Sequence, residues 1–204
     1  RLTADDLYVL LMGALFHDVG MGISEKDFCS FYGENFSAEA GHVSKEELQE
    51  LIRKNHHELS GWFLKKYWRV FDIPNDAYAK AIIQVCRGHR KTNLLDPVEF
   101  PEAFFVAEGR SVALPYLAAL VRLADELDIA ADRNSAFLYD PMLIKNDISR
   151  LEFLKHQCIQ SVEIRPAGVL VKAVSDDPKI CEGVIDTVSK AAEVLHDCRM
   201  VVSE

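Results

Sequence analysis

The sequence predicts a mainly α-helical domain, a helical bundle, followed by a small C-terminal α+β appendage. Three observations predict it. Apolar residues recur at spacings of three and four through separate stretches of the first ~130 residues, as in amphipathic helices. Apolar–polar alternation comes late, on either side of Arg165-Pro166-Ala167-Gly168, as in a β-hairpin. The 204 residues, 49% of them apolar, suffice for one well-packed domain plus a small addition. We place the helical domain at 1–140 and the appendage at 145–204.

The first helix is expected over 3–17. Thr3 and Asp6 stand three apart as in a capping box, and Leu7, Leu10, Leu11, Ala14 and Leu15 supply an apolar stripe. His17-Asp18 closes this helix, and Gly20 and Gly22 end it with left-handed or open backbone. Residues 23–43 show no clear period and are expected as a loop with one helical turn around Glu25–Phe31. Its aromatics, Phe28, Phe31, Tyr32 and Phe36, either cover a pocket or anchor the loop to the core.

A second capping box, Ser44 to Glu47, starts a long helix through about Trp68, with Leu48, Leu51, Ile52, Leu59, Trp62, Phe63 and Leu64 on its buried side. Arg53, His56 and Ser60 share one face near that stripe, at spacings of three and four. Pro74 suits the first turn of the next helix, 75–88, which Gly88 stops just before His89, Arg90 and Lys91. Residues 92–110 read as a loop, and Ser111 as the cap of a helix through Ile129. Asp125, Glu126 and Asp128 crowd the end of that helix, where carboxylates oppose the helix dipole at a cost of roughly 0.3–1 kcal/mol each. Asp125 follows Val121 by four, which puts it on the buried side. In the appendage, Ser161–Ile164 and Val169–Val174 form the hairpin, a helix runs from Pro178 to Leu195, and Arg199–Val202 is expected as a third strand.

The formal charge of −9 argues against nucleic acid or an anionic membrane as the main partner, because both demand clustered Lys and Arg. No apolar run approaches the ~18 residues of a membrane span. Five scattered cysteines without C-x-x-C spacing read as reduced thiols of a cytoplasmic protein. The chain opens at Arg1 without a methionine, as a fragment would.

In chain order, His17-Asp18, His56, His89 and Asp125 each stand near the end or inward face of a different helix, which is how helical bundles assemble metal sites. The donors are all N and O, favouring a catalytic divalent ion over a closed structural zinc.

This order resembles the HD superfamily of metal-dependent phosphohydrolases. LFHDVGM at 15–21, RKNHHELSG at 53–61, CRGHR at 86–90 and VRLADELD at 121–128 carry the resemblance, which covers about 1–135. The last two blocks look like the branch joined to a histidine-kinase-like (GHKL) ATPase domain, an implied fused or associated partner. The resemblance implies one or two ions of Mn, Fe, Mg or Zn held by His17, Asp18, His56, His89 and Asp125, with Asp18 bridging and catalytic. His56 is preferred to His57 because Arg53, His56 and Ser60 match the family block Arg-x-x-His-x-x-x-Ser. Arg53, Arg90 and Lys91 are candidates for substrate phosphate, and His57, Ser60 and Glu126 for groups behind the ligands. The implied substrate is a phosphorylated small molecule such as a nucleotide. The alternative is a non-catalytic HD-fold module that senses a nucleotide and controls the ATPase. The family's first histidine comes from a preceding helix, expected upstream of Arg1.

Overall fold

Helix α1 (Ala4–Phe16) starts on the expected capping box: the Asp6 amide donates to Thr3 Oγ1 at 3.1 Å, and the Thr3 amide to Asp6 Oδ2 at 2.9 Å. The structure, a computed structural model, describes residues 1–35, 45–90, 92–131 and 147–203. Phe36, Gly41, Ser44, Lys91 and Asp140-Pro141 lie outside the described residues. The chain is mainly α, with two antiparallel hairpins among the described residues, and forms two compact units: Arg1–Arg122 with Met200–Glu204, and Leu123–Arg199.

In the first unit α1 leads into a 3-10 turn (Val19–Gly22), then α2 (Glu25–Asn35), α3 (Lys45–Tyr67), a second 3-10 turn (Trp68–Phe71) and α4 (Asp76–Gly88). A short hairpin, β1 (Phe104–Ala107) and β2 (Arg110–Val112), precedes α5 (Leu114–Leu127), within which the division between the units falls. The buried side chains of α3, α4 and α5 include Leu59, Leu64, Ile82, Val85, Leu114 and Leu117, all fully enclosed.

The apolar stripe expected on α1 is not its buried face. Leu7, Leu11 and Leu15 are 46%, 68% and 68% exposed, while Asp6, Val9, Gly13 and Phe16 are buried. Leucines occur on several sides of this helix, so spacing alone does not choose a face. Gly13 chooses it: a Cβ there would stand 2.5 Å from Val85 Cγ1, so α1 and α4 meet where only glycine fits.

Residues 25–35 are a full helix rather than one turn in a loop. Phe28 and Phe31 are buried against Leu59, with Tyr32 stacked on Phe28, so these aromatics anchor α2 to α3. Pro74 precedes α4 rather than lying in its first turn, and Asn75 caps the helix, accepting from the amides of Ala77 and Tyr78 at 2.9 and 3.0 Å. The expected 92–110 loop contains β1, and Ser111 lies in β2 opposite Phe105 rather than capping α5. Gly109, at φ +65°, makes the turn between the strands.

The second unit contains α6 (Asp147–Cys158), β3 (Ile159–Arg165), β4 (Gly168–Ala173) and α7 (Pro178–Ser203) as far as Arg199. The hairpin forms in the expected place, with Val162 opposite Val171 and Arg165 opposite Gly168. Ile129, Ile159 and Val184 form its core, joined by Val162, Val171, Ile180 and Val188. Residues 199–202 are not a strand: α7 runs unbroken to Ser203, because no Gly or Pro follows Leu195 to stop it and Cys198 continues its buried phase. No single helix among the described residues is long and apolar enough to cross a membrane.

Candidate metal centre

α1 ends at Phe16, so its C-cap His17 and the next residue, Asp18, emerge where the backbone turns into the 3-10 segment. That turn lies directly on α3. A Cβ on Gly20 would be 2.2 Å from the His56 carbonyl oxygen and 2.7 Å from the Ser60 amide nitrogen. Gly20 therefore serves close approach; of the left-handed or open backbone expected there, the left-handed form is not adopted, its φ not being positive. The Ser60 hydroxyl, fully buried, accepts from the Gly20 amide at 2.9 Å and donates to the His17 carbonyl at 2.7 Å. Ser60 thus ties the His17-Asp18 turn to the helix that carries His56.

Three imidazoles converge on Asp18. Asp18 Oδ1 lies 3.2 Å from His56 Nε2 and 3.7 Å from His89 Nε2, and Oδ2 lies 3.6 Å from His17 Nε2. The His17 and His56 rings each stand 5.0 Å from the His89 ring, centroid to centroid. Each histidine donates from Nδ1 to the carbonyl three residues earlier: His17 to Ala14 at 2.7 Å, His56 to Arg53 at 2.6 Å and His89 to Cys86. A carbonyl oxygen only accepts, so the proton of each neutral ring sits on Nδ1 and Nε2 presents a lone pair.

His56 Nε2 and His89 Nε2 stand 2.9 Å apart. Two lone pairs at that distance repel unless a proton or a cation lies between them. Two nitrogens this close could both reach one shared divalent ion, which metal-bound imidazoles approach to ~2.0–2.1 Å. Asp18, His56 and His89 form a group able to hold such an ion, their ligand atoms all within 4.8 Å of one another. The backbone carbonyls behind the rings fix ring orientation and tautomer, as they do for metal-bound histidines. The His56 and His89 side chains are 7% and 0% exposed and that of Asp18 is 45% exposed, so the group opens to solvent on the carboxylate side.

The remaining candidates fall into different places. His57 faces Glu58, 3.8 Å from its carboxylate; burial pushes its imidazole below the usual range, against the pull of Glu58. Arg53 is exposed, although its carbonyl orients His56, and Arg90 is half-buried directly after His89. Lys91 lies outside the described residues. Asp125 is half-buried near the end of α5, three residues after Arg122. Glu126 belongs to the second unit, where Lys190 holds its carboxylate at 2.8 and 2.9 Å. An acid at the end of α5 is thus neutralised by a lysine far along the chain, which no local spacing announces.

Two arginines escaped the reading of the sequence. Arg87 joins α3 to α4, with Nε 3.0 and 3.1 Å from the Glu58 carboxylate oxygens and Nη1 2.6 Å from Glu99. Arg122 is buried, donating from Nε to the Gly88 carbonyl at 2.7 Å and from Nη2 to Thr92 O and Oγ1 at 2.8 and 2.9 Å. Its signal was present: Arg122 follows Ala118 by four, in the buried phase of an apolar helix.

The family model HD-CE matches residues 1–201. The chain belongs to the HD-CE family. This HD-type assignment extends through the C-terminal α+β segment, well beyond the ~135 residues over which separate motifs were legible. Comparison with curated proteins found none that matches. Comparison with solved structures likewise found none. The HD-CE assignment and the His/Asp groups together establish an HD-type domain with residues that could hold a metal.

Proposed function

We propose that this chain is a metal-dependent phosphohydrolase acting on a phosphoester, with a nucleotide or related phosphorylated small molecule as substrate. The observation that carries the reading is the pair of Nε2 atoms of His56 and His89, 2.9 Å apart and both facing Asp18 Oδ1. When bound there, a divalent ion (Mn, Fe, Mg or Zn) supplies Lewis acidity toward a phosphoryl oxygen and makes water a nucleophile near neutral pH. His56 and His89 would hold it from the closed side through their Nε2 atoms. Asp18 turns one oxygen toward these two rings and the other toward His17, so it can serve one ion or bridge two. Asp125, which follows Arg122 on the same continuous helix, is proposed to complete the ligand set.

Substrate enters on the open side of Asp18. Arg53, one turn before His56, and Arg90 and Lys91, directly after His89, are proposed to meet the phosphate, and a guanidinium can do so with two parallel hydrogen bonds. Blocks 86–90 and 121–128 resemble the branch joined to a GHKL ATPase domain, which supports a reading in which this hydrolase works beside such an ATPase. The five free cysteines accord with a reducing, cytoplasmic setting.

The test is metal content by mass spectrometry together with turnover of bis(p-nitrophenyl) phosphate. Bound metal with turnover that Asp18→Ala abolishes supports the enzyme. Bound metal without turnover on generic and nucleotide phosphoesters points to the regulatory alternative, and absence of metal after Mn2+ reconstitution sinks both the ligand set and the chemistry.

A further inference from the structure

We propose that Arg122 is a positioning residue for His89, holding the end of α4 so that the His89 ring stays aimed at Asp18 and His56. The significance for metal binding rests on the reading above; the positioning itself does not.

The last carbonyls of α4 have no partner within the helix and must find donors elsewhere. His89 sits at this end as the C-cap, and its ring is fully enclosed. One of these terminal carbonyls, that of Gly88, receives Arg122 Nε at 2.7 Å. The same guanidinium reaches past His89 to Thr92, donating from Nη2 to its carbonyl at 2.8 Å and its hydroxyl at 2.9 Å. Arg122 therefore brackets His89, gripping the residue before it and the residue three after it. A cation at a helix C-terminus also complements the negative end of the dipole.

Gly88 makes this grip sensitive. A Cβ there would lie 2.5 Å from Ala118 Cβ, so α4 and α5 are in close contact one turn before Arg122. The guanidinium arrives rigidly from a packed helix, and its planar fork matches acceptors that a lysine could satisfy only one at a time. The His89 ring depends on this anchoring because its own orienting bond, Nδ1 to the Cys86 carbonyl, belongs to the same helix end.

The test uses Arg122→Lys, which keeps the charge and loses the fork, and Thr92→Val, which removes one acceptor. In metal-free protein, the imidazole 15N signals report ring tautomer. In Arg122→Lys those of His89 are expected to move from a single Nδ1–H form toward a mixture, with His17 unchanged. Thr92→Val shifts His89 in the same direction by less. Mn2+ affinity is expected to fall about 10–100-fold in Arg122→Lys, the usual effect of losing a group that orients a ligand. Unchanged His89 signals in the variants that fold, checked by circular dichroism, overturn the proposal; should Arg122→Lys not fold, Thr92→Val decides alone. If wild-type protein takes up no Mn2+ while the His89 signals still shift, the metal reading falls and the positioning role stands.

Discussion

Gly20 meets His56 backbone to backbone, with no space for a side chain: a Cβ on Gly20 would come within 2.2 Å of the His56 carbonyl oxygen. This contact brings the His17-Asp18 turn onto the helix that carries His56. Its consequence is that the least chemical residue near the centre is among the least replaceable. Gly20→Ala is expected to cost about 1–3 kcal/mol, the usual range for overpacking. The change must also move the turn away from α3, so Mn2+ uptake should weaken together with the denaturation midpoint. A variant of wild-type stability and affinity would contradict the geometry.

Ser60 offers a gentler probe of the same junction. Ser60→Ala leaves the Gly20 amide and the His17 carbonyl without the hydroxyl that now serves both. Leaving a buried donor unsatisfied costs about 1–3 kcal/mol, which urea denaturation resolves as a lower midpoint at constant slope.

His56 and His57 are adjacent but should behave differently. His56→Ala removes a nitrogen that faces both Asp18 and His89, so Mn2+ binding measured by titration should be lost or severely weakened. His57→Ala should retain binding, because His57 Nε2 faces Glu58 instead.

Tyr78 predicts a pH dependence away from the centre. Burial, with the Asp5 carboxylate that accepts its hydroxyl proton, raises the Tyr78 pKa above the usual value. The folded state therefore keeps this proton at a pH where the unfolded chain releases it. The stabilisation is complete below the unfolded value of about 10 and is lost as pH rises through the higher folded value. Denaturation midpoints should fall above pH ~10 in wild type and fall less steeply in Tyr78→Phe, and ultraviolet titration at the tyrosinate band should show one late-ionising phenol fewer in the variant.

The cysteines supply a labelling experiment. Cys29 is exposed, whereas Cys86 is fully buried, donates its thiol to the Gly13 carbonyl at 3.6 Å and has its thiol pKa pushed up by burial. In native protein at about pH 8, a disulfide reagent should modify Cys29 rapidly, while Cys86 reacts only after urea is added. Early modification of Cys86, located by peptide mass spectrometry, would show that the α1–α4 contact opens readily.

Much of this protein is written in local signals. Thr3 and Asp6 announce a capping box, Pro166 to Gly168 announce a hairpin, and the period of the long central helices announces their existence, because each depends on residues a few positions apart. The candidate ligands are local signals too: imidazoles and carboxylates near helix ends mark residues that could hold a metal. What the tertiary structure decided is which faces meet. Periodicity chose Leu7, Leu11 and Leu15 as the inner side of α1, and the fit of Gly13 against Val85 turned them outward. The 2.9 Å approach of His56 to His89, the hydroxyl of Ser60 between His17 and Gly20, and the reach of Arg122 around His89 all join residues some thirty or more positions apart. Such distances are set by the packing of whole helices, which sums many weak contacts across the chain, so no short window of sequence contains them.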